Sequence, residues 1–276
     1  MSFKIVGDSC CDFTAEDMAK GYFVSVPLTL IIGDKEVRDD NTYNQEQILK
    51  MMSETDKAIR SACPSPDAYM DAYKGADEVY VVTLSSKLSG SYNSAMLAKQ
   101  MYQEENPNVK IYVFDSKSAA AAQHLICGKI EEQALLGKSY ETIISSTETY
   151  IQKQQTLFVL ENLDVMKKNG RMSKVKSVVA TVLNIKPVLY GVDGEIQQLD
   201  QARSMNKALN KLLWHVKKGN YDVNRKVEIT QCASRERCMN VRKVLMEQFG
   251  FKNVVVLDAK GISTLYENRG GVIISL

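Results

Sequence analysis

The chain has 276 residues, 45% hydrophobic and 25% charged, a composition that fits a globular protein of one large or two ordinary α/β domains. Its 35 basic and 33 acidic side chains leave a net charge of +2, which excludes the concentrated basic face that nucleic-acid binding needs. No apolar run is long enough to span a bilayer, and the opening MSFKIVGDSCCD has neither the basic nor the apolar region of a secretion signal, so the cytosol is the expected compartment.

In chain order, Phe3-Lys4-Ile5-Val6 reads as a first strand ending at Gly7-Asp8-Ser9. Tyr22 to Ile32 is apolar and partly β-branched, and Gly33-Asp34 before Lys35-Glu36-Val37 predicts a hairpin. Asn41-Thr42 is placed to cap a helix through Met52. Ser65-Pro66-Asp67 combines a cap, a proline at the first helical position and an early acid, so a helix starts there and ends near Gly75. A strand over 79–84 runs into the serine-rich stretch 85–95, then a helix to about Gln103. After a turn at Asn106-Pro107-Asn108 come a strand from Lys110 to Phe114, ending in Asp115-Ser116, and a long helix from Ala119 to Leu136. Ser139 caps another helix, and 156–160 is a strand.

Strand alternating with helix predicts a parallel sheet covered on both faces, and such sheets bind ligands outside the carboxyl ends of their strands. Asp8-Ser9, Ser85 to Ser91 and Asp115-Ser116 all fall at that edge. Each alone is an ordinary helix cap; their convergence marks a site. Beyond residue 153 the pattern changes. Asn169-Gly170-Arg171-Met172-Ser173 ends one short helix and caps the next. Ile185 to Tyr190 returns across Gly191-Val192-Asp193-Gly194 through Ile196, a helix from about Met205 to Val216 carries Trp214, and strands Lys226 to Thr230 and Asn253 to Leu257 flank a helix from Arg235 to Phe249. The expected fold class is α/β in two domains, a parallel-sheet domain over 1–153 and an α+β domain over 154–276.

The six cysteines, Cys10, Cys11, Cys63, Cys127, Cys232 and Cys238, form no C-x-x-C, and the two histidines, His124 and His215, are far apart, so no zinc site is expected. The thiols read as small packing residues. There is no G-x-S-x-G elbow, and His124 within a helix and His215 beside Trp214 suit packing or surface roles. Ser173-Lys174-Val175-Lys176 matches S-x-x-K, a pattern common by chance, beside a turn where serine is a natural cap. Asp8-Ser9-Cys10-Cys11-Asp12 places its second acid two residues too late for the D-x-D of an aspartyl phosphatase, and neither a Walker loop nor a G-x-G-x-x-G follows the first strand. No cofactor is expected. Hydroxyls without a base remain, set where free backbone N–H groups at a helix start bind an anionic oxygen. Twelve Met supply flexible apolar surface that adapts to apolar ligands.

The stretch Ser85-Ser86-Lys87-Leu88-Ser89-Gly90-Ser91-Tyr92-Asn93-Ser94-Ala95 resembles the S-S-x-L-S-G-T-Y-x-S-A signature of the DegV family. Asp8-Ser9 with Asp12 resembles its opening D-S-S/T-x-D, and Ser61-Ala62-Cys63-Pro64-Ser65 its T-S-Q-P-S. Residues 163–173 resemble L-x-x-L-x-x-G-G-R-I/V-S, and Asn184-Ile185-Lys186-Pro187-Val188-Leu189 the following I-K-P strand, so the resemblance covers essentially the whole chain. It implies a bacterial fatty-acid carrier that is not itself an enzyme. The acyl chain would be buried in an apolar tunnel and its carboxylate held between the domains for a separate fatty acid kinase.

By position, the resemblance implies that Ser61 stands for a carboxylate-binding Thr, that Ser89 is the carboxylate-binding Ser, and that Ser91 stands for the Thr beside it. Arg171 matches the arginine of Gly-Gly-Arg, with a structural role as its alternative, and Arg203 an arginine linked to the kinase, with a plain surface charge as its alternative. The family's C-terminal H-x-G-P-G is replaced by Tyr266-Glu267-Asn268-Arg269-Gly270, so Tyr266 takes the His position, keeping one donor but no positive charge. Each buried methylene contributes ~0.8 kcal/mol, so a long tail is worth on the order of 10 kcal/mol before ordering costs. One lost hydrogen bond to a charged head costs roughly 1.5–3 kcal/mol, so the tail dominates. Two other readings stay open: a diverged relative that binds another amphiphile, and an acyl hydrolase using Ser89 or Ser91.

Overall fold

The computed structural model describes residues 2–40, 42–172, 175 and 185–276; expectations resting on Asn41, Ser173, Lys174, Lys176 and Asn184 lie outside them. The chain runs β1 (Phe3–Asp8), a 3-10 turn (Ser9–Cys11), α1 (Ala15–Ala19), β2 (Phe23–Val26), β3 (Thr29–Ile32), β4 (Lys35–Arg38) and α2 (Gln45–Ser53). Next come β5 (Ile59–Ala62), α3 (Pro66–Tyr73), β6 (Glu78–Thr83), α4 (Ser91–Glu105), β7 (Lys110–Asp115), α5 (Ala121–Leu135) and α6 (Tyr140–Lys153). The rest is β8 (Thr156–Val159), α7 (Asp164–Lys168), β9 (Lys186–Val192), β10 (Glu195–Ala202), α8 (Met205–Lys218), β11 (Lys226–Gln231), α9 (Arg235–Glu247), β12 (Asn253–Asp258), α10 (Gly261–Glu267) and β13 (Val272–Ser275).

The first sheet has the order β2-β1-β6-β7, with every pairing parallel. Side chains alternate faces along a strand, and both faces here are apolar because both are covered. Val79 and Val81 of β6 meet Tyr69 and Tyr73 of α3 and Ala95 and Ala98 of α4. Tyr80 and Val82 meet Ile126 and Ile130 of α5 and Ile143 of α6. The carboxyl ends of β1, β6 and β7 therefore share one edge, carrying Asp8, Leu84 and Asp115 to the same place.

The second sheet has the order β10-β9-β8-β13-β11-β12. One face packs under α8 and α9 through Leu212, Val241, Val227 and Ile274. The other presents Phe158, Leu189, Ile196 and Ile273 toward Ala120, Leu163 and Met166. A small antiparallel sheet, β4-β3-β5, packs Leu30, Ile32 and Val37 against Ile48 of α2 and Ile262 and Leu265 of α10.

Helix α5 lies between the two larger sheets, touching β1 and β6 on one side and β11 and β13 on the other. His124 near its start was expected to serve packing or the surface. Instead its ring nitrogens meet Asp17 of α1 at 3.0 Å and Glu228 of β11 at 2.9 Å, all three largely buried. Burial alone would lower the imidazole, but its bonds to Asp17 and Glu228 overrule burial and raise it to about 10.

Other local readings need correction. The hairpin starts only at Thr29, because Pro27 cannot donate to a ladder; Phe23–Val26 joins β1 in the parallel sheet instead. Helix α2 is capped by Asn44 in a reciprocal box with Gln47, while Thr42 bonds Asp40. Cys63 is exposed rather than packed; the other five cysteines are buried free thiols.

Candidate functional site

A narrow cavity of about 70 Å³ lies against the carboxyl edge of the first sheet. That is well below the roughly 300–1,000 Å³ of small-molecule sites, so a long ligand enters only if the apolar walls move apart. Cys10 after β1 and Leu84 after β6 come from the sheet edge, Ala119 and Ala120 from the start of α5, and Ser61 from β5. The opposite wall comes from the second half: Met166 of α7, Ile196 of β10, Ile262 and Tyr266 of α10, and Ile273 of β13. Ala120 adopts φ 53°, a conformation rare outside glycine, and its N–H points at Cys10 Sγ at 3.4 Å. Strained backbone of this kind concentrates at ligand sites.

The polar groups gather at one end. The Ser61 and Tyr266 hydroxyls share a hydrogen bond of 2.8 Å. Ser89 Oγ accepts from the Ser91 N–H at 3.2 Å and shares a 2.9 Å bond with the Ser91 hydroxyl. Ser89 thus sits at the N-terminus of α4, whose cap position, Gly90, has no side chain to offer. Partly positive N–H groups there favour an anion. Arg171 stands beside them, its guanidinium 5.7 Å from the Tyr266 ring centre, and its Nε donates to the Leu88 carbonyl at 3.2 Å. Arg171 therefore both lines the cavity and holds the serine loop in place. Ser61, Ser89, Arg171 and Tyr266 are part-exposed, whereas Leu84, Ile262 and Ile273 are buried, so the cavity runs from a polar mouth to an apolar interior.

Of the residues expected from sequence, Ser61, Ser89, Arg171 and Tyr266 come together around this cavity. Ser91 is fully buried behind Ser89 and is not among the lining residues. Arg203 is exposed at the end of β10 and does not line it either. The remaining serines of 85–95 have structural partners. Ser85 donates to the Gly194 carbonyl at 2.7 Å, Ser86 to Asp115 at 2.5 Å and Ser94 to the Pro64 carbonyl at 2.6 Å.

Three lining residues, Cys10, Ser263 and Glu267, were not marked as site residues by the sequence, and Asp12, matched there to the family's opening motif, supports the wall. Asp12 accepts from the Ser263 hydroxyl at 2.7 Å and from the Lys260 N–H at 2.9 Å. Asp39 accepts from the Ile262 N–H at 2.8 Å. These two acids cap α10 from distant parts of the chain, which is why α10 lacks a cap of its own. Burial pushes Asp12 up to about 7 and Asp8 up to about 6, against the hydrogen bonds each accepts. Asp8 ties the sheet edge together, accepting from the Leu84 N–H at 2.6 Å and Gln123 Nε2 at 3.0 Å. Asp12 and Asp39 thus lie on the α10 side, Asp8 lies at the sheet edge, and the cation Arg171 lies with the hydroxyls. The hydroxyls of Ser61, Ser89 and Tyr266 and the guanidinium of Arg171 thus stand together, and most of the remaining lining is apolar.

A family model described as an uncharacterised protein of the DegV family matches residues 2–270. A DegV domain-containing protein of Streptococcus pyogenes serotype M1 is 36% identical over 276 residues, 99% of this chain and 98% of the relative. The fold is similar to that of a DegV family protein from Ruminococcus gnavus with vaccenic acid, at TM-score 0.96 and 41% identity over 100% of both chains. It is also similar to the Streptococcus pneumoniae Fatty Acid Kinase (Fak) B3 protein loaded with linoleic acid, at TM-score 0.91 and 32% identity over 100% of this chain and 99% of that one.

Proposed function

The chain belongs to the DegV family, and from that premise we propose that it is a fatty-acid carrier that buries a long acyl chain and presents the carboxylate to a separate kinase. The observation that carries this is the cavity itself, where Ser61, Ser89, Tyr266 and Arg171 stand together beside a mainly apolar lining. The tail would supply most of the affinity through burial and the hydroxyls would fix the orientation of the head. The cavity would lie between domains 1–153 and 154–276, a division supported by the sorting of strands into the two larger sheets.

A carrier rather than a hydrolase is supported by the partners of the hydroxyls. Ser89 is bonded to another serine, not to a base. His124 is held between two carboxylates, and His215 lies against Asp200 at 3.3 Å; neither lines the cavity. A nucleophilic serine needs a base in reach. The kinase reading is supported by the 32% identity to the Fak B3 protein. Arg203, exposed beside the β9–β10 hairpin, is the proposed partner contact. Among the described residues no helix is long and apolar enough to cross a membrane, and the cytoplasm is the proposed setting.

Denaturing extraction of protein purified from bacteria, followed by mass spectrometry, is expected to release a long-chain fatty acid. Lipid-free protein that also takes up neither palmitate nor oleate would sink the carrier reading. Formation of acyl phosphate by a fatty acid kinase subunit and ATP, only with the loaded carrier, would test the partner.

A further inference from the structure

Glu267 is the one acid on the cavity wall that nothing above employs. It is 1% exposed, it lines the cavity, and both carboxyl oxygens lack a hydrogen-bond partner among the described residues. It takes no part in the hydrogen bonds of the head-group cluster: its neighbour in sequence, Tyr266, bonds Ser61, and among the described residues no bond joins Glu267 to Ser61, Ser89, Tyr266 or Arg171. Its stem is fixed against the backbone, since a Cβ on Gly271 would lie 2.3 Å from Glu267 Cγ and 3.0 Å from Leu160 Cδ2. No Lys or Arg is bonded to it, and Asp12 is the charged group that acts on it. Burial first, and Asp12 second, push the carboxyl well above its ordinary value. Burial and Asp12 thus both favour the neutral carboxyl, one donor and a spare acceptor, on a residue of the cavity wall whose oxygens are closed off until a ligand parts the walls.

A plain alkyl tail cannot satisfy such a group, and a buried polar group left unpaired is costly. An anionic group cannot be its natural partner beside Asp12, and the fatty carboxylate already has the Ser61–Ser89–Arg171 end. What fits is a neutral oxygen on the chain, away from the carboxylate. We propose that Glu267 makes this cavity selective for fatty acids bearing a hydroxyl along the chain, with the Glu267 carboxyl exchanging hydrogen bonds with that hydroxyl. The proposal rests on the fatty-acid reading of the cavity and names a subclass of ligand within it.

The test measures the affinities of delipidated protein for stearic acid and for a positional series of monohydroxystearic acids. At least one isomer is expected to bind about tenfold more tightly than stearic acid, the worth of a satisfied buried hydrogen bond. Glu267→Gln, which keeps donor and acceptor, should retain the preference. Glu267→Leu should reverse it, favouring stearic acid. The proposal is overturned if no isomer outbinds stearic acid on the wild-type protein, or if Glu267→Leu keeps the preference. Failure of every acid to bind, stearic included, would instead overturn the carrier reading and the proposal with it.

Discussion

The two walls of the cavity are built on different logic. The serine wall is bonded mostly within its own half: Ser86, Ser89, Ser91 and Ser94 find partners there, only Ser85 reaches across to Gly194, and together they lock the turn between β6 and α4. The α10 wall is held from afar, its first turn capped by Asp12 and Asp39 more than two hundred residues upstream, and it carries an acid with no partner. A wall saturated by its own hydroxyls is rigid and tolerant of distant change. A wall hung on remote caps transmits any disturbance of those caps to the ligand.

The largest effect should come from α5, which lies between the two larger sheets and whose approach, Ala119 and Ala120, lines the cavity. Replacing His124 with Leu leaves Asp17 and Glu228 with only the more exposed Lys20 and Lys226 as cations, and losing the buried partner is expected to cost up to about 3 kcal/mol. Urea unfolding would measure it. The same residue sets a pH signature. Its folded value is raised from 6.5 to about 10, so its stabilisation is complete below pH 6.5 and is lost as pH rises toward about 10. The wild type should lose stability across that window, and the Leu variant should lose less. A wild-type profile flat there would refute the bridge.

The α10 wall should break next. A Cβ at Gly261 would stand 1.9 Å from Asp39 Oδ1, so Gly261→Ala must displace the cap and is expected to cost about 1–3 kcal/mol of stability. Fatty-acid affinity should fall with it, although residue 261 is not among the cavity-lining residues. Unchanged affinity in a destabilised variant would show that the two walls are less coupled than described.

On the serine wall, Ser89→Ala removes one bond to the carboxylate and should weaken binding by about 1–2 kcal/mol with little change in stability. Titration with oleate would read it, and an unaltered affinity would remove Ser89 from the head-group site. The smallest effect is expected at Arg203, exposed and away from the cavity. Arg203→Ala should leave fatty-acid affinity within about 0.5 kcal/mol and lower only the rate of acyl phosphate formation by the kinase. Equal rates would make it a plain surface charge.

The contrast between the walls also explains what the sequence could disclose. The serine wall was legible because Asp8, the 85–91 stretch and Asp115 sit at neighbouring strand ends, so strand, cap and helix patterns converge on one edge, although the bond from Ser85 to Gly194 was not visible there. Ser65-Pro66-Asp67 and Ser139 marked α3 and α6 for the same reason. Helix α10 was missed because Lys260 offers no side-chain cap and its caps are remote. Strand β13 is only four residues at the end of the chain, and its place between β8 and β11 depends on long-range pairing. The His124 bridge was hidden because neither Asp17 nor Glu228 is near it in sequence. Tyr266 was found only through a family pattern, and the bond from its phenol to Ser61 needed the fold.

A crystal structure of the oleate complex would decide where the ligand lies. Elongated density is expected from the Ser61–Ser89 end into the space lined by Ile196, Ile262 and Ile273, with a carboxylate oxygen within hydrogen-bonding distance of Ser89 Oγ. Oleate bound elsewhere, with this cavity closed by its own side chains, would overturn the carrier reading.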